Sequence, residues 1–128
     1  MISIVALAAV ACSVAGTWPH TADAAWLAGV LDRAGYRDVG CTGSAFDVAY
    51  EDGVPGHDFY IWATTAPRLV PESSQYRILA GVRVYGNAVR VAWRAGRRNV
   101  WVEQGATARA LPPRRVLLNL VRTTVMRR

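Results

Sequence analysis

The feature that most constrains this chain is the run Val82–Glu103, "VRVYGNAVRVAWRAGRRNVWVE". Valines recur with a period of two, as in a strand with one face buried. Gly86-Asn87 and Gly96-Arg97 interrupt the alternation, each with Gly first in a two-residue turn, as type II′ hairpins prefer. Such a turn sets the register of the strands it joins. The first places Tyr85 opposite Ala88, Val84 opposite Val89 and Arg83 opposite Arg90. The second places Arg94 opposite Asn99, Trp93 opposite Val100, Ala92 opposite Trp101 and Arg90 opposite Glu103. Val82, Val84, Val89, Val91, Trp93, Val100 and Val102 then share one apolar face for helices to cover. Arg83, Tyr85, Arg90, Arg94, Asn99, Trp101 and Glu103 share the other. The like-charge pair Arg83–Arg90 is offset by Glu103 across from Arg90, each neighbour being worth a few tenths to about 1 kcal/mol.

The same period predicts strands at 45–51, 58–65, 76–85, 88–95 and 98–103. "DFYIWATT" is apolar or aromatic at both parities, which predicts a strand covered on both faces. "APRLVPESSQ", with Pro67 and Pro71, is the longest connection, and long connections more often carry function than short ones. Helical spacing occurs at the two ends. Thr21-Ala22-Asp23 offers a capping hydroxyl and a first-turn acid, and Leu27, Val30, Leu31 and Ala34 form one apolar stripe. Gly35 stands where a C′ glycine belongs, followed by Tyr36. After Pro112-Pro113, Leu117, Leu120, Val121 and Thr124 form a second stripe, with Val116, Leu118 and Val125 beside it and Arg115, Asn119 and Arg122 opposite. These elements imply an α+β fold. It is an antiparallel β-meander of about five strands, with one helix before it and one C-terminal helix after it, packed on one sheet face. Of the tryptophans, Trp26 and Trp93 are expected in the core and Trp101 at the surface.

The 128 residues suffice for one hydrophobic core, and 52% hydrophobic content with 19% charged residues excludes a disordered chain. "MISIVALAAVACSVA" is uncharged and shorter than the ~20 residues a spanning helix needs. It resembles the apolar region of a secretory leader, with small residues at Ser13 and Ala15 for cleavage after Ala15. Residues 1–15 are therefore read as a signal peptide or lipoprotein leader and 16–128 as one α+β domain. Acylation at Cys12 is the alternative processing, and it would anchor the exported chain to lipid. Removal of the leader leaves Cys41 as the one thiol, whereas retention allows a Cys12–Cys41 bridge.

The net charge of +6 is carried by the tail. Residues 104–128 hold six Arg and no acid, while the remainder is balanced at nine Arg against nine Asp or Glu. A neutral body argues against nucleic acid as a partner. Arg114 and Arg115, in the first turn of the last helix, oppose its dipole, which suggests an anionic membrane surface or an acidic partner. Arg83, Arg90, Arg94 and Trp101 on the outer sheet face form a second candidate surface, suited to a glycan, a phosphate or a carboxylate. For catalysis the candidates are Cys41 with His57 and Asp58, since an imidazole can activate a thiol. Glu51, Asp52, His57 and Asp58 are the candidate metal ligands, of a type without selectivity among divalent cations. No cofactor motif is present. The expected function is a non-enzymatic, exported cell-envelope domain that binds a ligand or partner, with a small thiol- or metal-dependent hydrolase as the alternative.

Overall fold

A computed structural model describes residues 22–42, 44–51, 53–69 and 75–126. The leader, Cys12, the capping residue Thr21 and Asp52 lie outside the described residues. The element order is α1 (Ala22–Arg33), β1 (Val39–Thr42), β2 (Ala45–Ala49), β3 (Asp58–Thr65), β4 (Tyr76–Leu79), β5 (Val82–Gly86), β6 (Arg90–Ala95), β7 (Arg98–Gln104) and α2 (Arg114–Val125). All strands join one antiparallel sheet in the order β1-β2-β3-β7-β6-β5-β4. The chain thus makes two meanders, and the last strand of the second docks against the last strand of the first.

The α+β class and the flanking helices match the sequence expectation, but the described residues form seven strands rather than about five. Val39–Thr42 adds an edge strand whose alternation is too short to stand out. The predicted strand 76–85 folds back on itself at Ala80-Gly81, both with positive φ (52° and 79°), so Leu79 faces Val82. A two-residue turn with both φ positive is the type I′ arrangement, and Ala in its first position is why the turn is hard to read.

The first hairpin is also corrected. Tyr85 pairs with Ala92 and Gly86 with Val91, so Arg83 does not face Arg90. Asn87 builds a wider loop: its Oδ1 accepts the Val89 and Arg90 backbone N–H groups at 2.9 and 3.1 Å, and its own N–H donates to Arg90 O at 3.0 Å. Gly86, at φ +141°, lies where any Cβ would collide with the Arg90 carbonyl and Val91 Cα. The glycine permits close strand approach rather than a II′ corner. The shift in register is even, so the faces survive it. Val89 alone is lost from the apolar face and is 47% exposed in the loop. At Gly96 (φ 65°) the register is the expected one, from Arg94↔Asn99 to Arg90↔Glu103.

Both helices cover the same sheet face. Leu27, Val30 and Leu31 of α1 and Val116, Leu117, Leu120 and Val121 of α2 are buried with Phe46, Val48, Phe59, Ile61, Val84, Trp93, Val100 and Val102. Burying each large apolar side chain contributes about 1.5–3 kcal/mol. Trp93 is fully buried at the centre, and its Nε1–H donates to Thr124 Oγ1 at 2.8 Å. Trp26 packs against the core from its rim. The α1 C-terminus closes as expected: Tyr36 N–H reaches Leu31 O and Gly35 N–H reaches Asp32 O, both at 3.0 Å, with Gly35 at φ +92°. Burial raises the Tyr36 pKa against the opposing pull of an Asn119 hydrogen bond and Arg115. Asn119 Nδ2 also donates to Ala34 O at 3.0 Å, tying the two helices together.

Candidate functional site

Among the described residues, no helix packs on the other sheet face, where β3 is less enclosed than on the first. Phe59 and Ile61 are buried, whereas Tyr60 and Trp62 on the opposite parity remain half-buried. Register assembles this open face into rows. One runs across five strands as Trp62, Trp101, Ala92, Tyr85 and Tyr76, each opposite the next. Trp62 and Trp101 lie parallel at 6.1 Å with a 4° interplanar angle, and Tyr76 and Tyr85 lie 5.6 Å apart at 55°. Ala92, the small member of the row, is buried between Trp101 and Tyr85 and forms its low point.

The next row is polar: Asp47, Tyr60, Glu103 and Arg90. Arg90 Nη2 pairs with Glu103 Oε1 at 3.4 Å, and its guanidinium lies 5.7 Å from the Trp62 ring centre. Across the aromatic row, Arg83 lies 4.7 Å above Tyr76. Arg94 has a different task. Its guanidinium donates to Gly96 O (2.8 Å), Asn99 Oδ1 (3.2 Å) and Pro67 O (3.1 Å), and so clips the long β3–β4 connection onto the sheet. The clip buries Asn99 and leaves a cavity of about 350 Å³ lined by Pro67, Arg68, Leu69, Val82, Arg83, Tyr85 and Arg94.

Asp47 was not among the residues singled out from the sequence, although its outward parity in "AFDVA" places it here. Its pKa is raised to about 6 by burial, by the Asp58 charge and hydrogen bond, and by Asp38. Protonated Asp47 hydrogen-bonds to the Asp58 side chain, whose Oδ1 is buried without a hydrogen-bond partner among the described residues. Gly105 packs directly on this carboxylate, where a Cβ would collide with it.

The predicted catalytic group is not assembled. In the full-length chain Cys41 is disulfide-bonded and so offers no thiolate. Cys41 lies opposite Phe46, which lies opposite Ile61, four residues from His57. That separation is about 13 Å along the strand alone. His57 instead stacks on Tyr50 at 5.2 Å and 7°, with its Nδ1 3.3 Å from Glu51 Oε1. Among the described residues, no group of three or more His, Cys, Asp or Glu is placed to hold a metal ion; Asp52 lies outside them.

An acid outside the tail helix answers one of its two first-turn cations. Arg115 Nη2 reaches Glu51 Oε1 at 2.9 Å and its guanidinium lies 6.0 Å from the Tyr50 ring, so an acid from the β2–β3 turn stands near the helix start. Arg114 and Arg122 are exposed, and the apolar stripe of α2 is spent on the core. Among the described residues, no helix is long and apolar enough to cross a membrane. No family model, curated protein or solved structure matches the chain.

Proposed function

We propose that this chain is an exported cell-envelope domain without catalytic activity, and that its ligand surface is the open sheet face. The observation that carries this reading is the row Trp62–Trp101–Ala92–Tyr85–Tyr76, whose four aromatic rings are only partly buried while both described helices pack on the opposite sheet face. Aromatic side chains are costly to expose to water, and a contiguous row of them marks an interaction surface. The leader-like residues 1–15 support export.

The test is sedimentation with purified cell-envelope material. Native protein should co-sediment, and the Trp62→Ala/Trp101→Ala double variant, checked for native circular dichroism, should stay in the supernatant. Equal sedimentation of both would refute the assignment of the surface. A thiol-dependent hydrolase, the competing class, requires a free Cys41; the full-length chain, with its disulfide, should give no iodoacetamide adduct on Cys41 without reductant, whereas cleavage after Ala15 removes Cys12 and frees Cys41 to react, both read by intact mass. The same measurement, made without reductant, distinguishes cleavage after Ala15, acylation of Cys12 and retention of the leader.

A further inference from the structure

Resting on that reading, we infer the class of ligand: an extended, uncharged glycan laid across the strands, its sugar rings stacked along Trp62, Trp101, Tyr85 and Tyr76. Shape supports a polymer. The row spans four strand-to-strand steps, about 19 Å, and lies on a sheet face rather than in a deep pocket of the kind that encloses small molecules. Surface chemistry supports sugars. The negative faces of aromatic rings attract the C–H-rich faces of a pyranose. Alongside them, Asp47, Tyr60, Glu103 and Arg90 offer planar or hydroxyl groups matched to hydroxyls on adjacent sugar carbons.

Charge separates an uncharged glycan from a polyanion. Arg83, Arg90, Arg94 and Arg68, which lines the cavity beside Arg83, stand against Asp47, Asp58 and Glu103, four cations to three acids. Arg90 is paired with Glu103, and Arg94 is engaged by Asn99, Gly96 and Pro67. A nucleic acid or polysulfated chain needs a stripe of uncompensated positive charge. Peptides that bind sheets do so through free backbone groups at an edge strand. The tryptophan pair of this row stands on β3 and β7, in mid-sheet, where strands on both sides occupy those groups.

The experiment is calorimetric titration of the full chain with cellohexaose and chitohexaose, and with a thymidine dodecamer and decaproline as competing classes. At least one hexasaccharide should bind about tenfold or more tighter than its disaccharide, a difference of about 1.4 kcal/mol, and do so equally at low and high salt. Trp101→Ala and Tyr85→Ala, on different strands, should each weaken it about tenfold or more. Retained affinity in both folded variants would place the sugar elsewhere and overturn the inference. Salt-sensitive binding of the dodecamer, or binding of decaproline, lost in Trp101→Ala and without hexasaccharide binding, would overturn the glycan while keeping the surface. If no probe binds, the glycan class falls. Envelope sedimentation that still depends on Trp62 and Trp101 would then show that only the ligand class was wrong.

Discussion

Trp93 and Trp101 stand on neighbouring strands, β6 and β7, yet they belong to opposite sides of the sheet. Trp93 is fully buried beneath the helices and spends its one donor on Thr124. Trp101 is only partly buried and stacks on Trp62, with no helix above it among the described residues. Residue type is the same in both, so the difference comes from parity and from where the two helices pack. The covered face is organised for stability, with satisfied polar groups and close packing. The open face keeps its large rings at the surface, where a ligand can use them.

The sharpest way to break this comparison is to truncate both tryptophans. Trp93→Ala should destabilise the fold by about 3–5 kcal/mol, the range for a large buried aromatic. Trp101→Ala should cost about 1 kcal/mol, the scale of one aromatic pair. Urea denaturation midpoints measure both, and equal losses would mean that the two faces are not energetically distinct. An effect between these two is expected from Thr124→Val, which strands the buried Trp93 N–H and should cost about 1–3 kcal/mol by the same assay.

The carboxyl pair on the open face gives a test in pH. Asp47 titrates at about 6 in the folded chain against its ordinary 3.8, so between these values the folded state holds a proton the unfolded chain has lost. The stabilising contribution is therefore fully present below about pH 3.8 and is lost as pH rises through 6. Asp47→Asn should flatten that part of the thermal-melting profile and raise the Tm at neutral pH; an unchanged slope would assign the titration to another group. The smallest effect belongs to the exposed pair Arg115–Glu51. Replacing either with Ala should change stability by less than about 1 kcal/mol, measured by urea denaturation at low salt and vanishing at high salt.

Much of the fold was legible because period-two and period-3.6 patterns do not depend on long-range contacts. The β6–β7 register followed from Gly96-Arg97, whose tight turn leaves little choice. Gly86-Asn87 misled for a physical reason: Gly86 serves close backbone approach, and the Asn87 side chain builds a longer loop. Of the candidate residues, Arg83, Arg90 and Trp101 do stand on one surface, while Arg94 proved to be a clip for the long connection. Trp62, Tyr76, Asp47 and Asp58 join that surface only through strand neighbours distant in sequence.

The sequence by itself determined which side chains share a sheet face, because alternation is a local property of extended backbone. It also determined the two amphipathic helices and the placement of charge along the chain. Only the tertiary structure decided that β1 joins the sheet as an edge strand beside β2 and that β7 inserts beside β3. Those outcomes depend on the order in which strands pair, which is settled by packing between residues far apart in the chain and leaves no periodic trace. The aromatic row exists because of that insertion, since it alone brings Trp62 against Trp101.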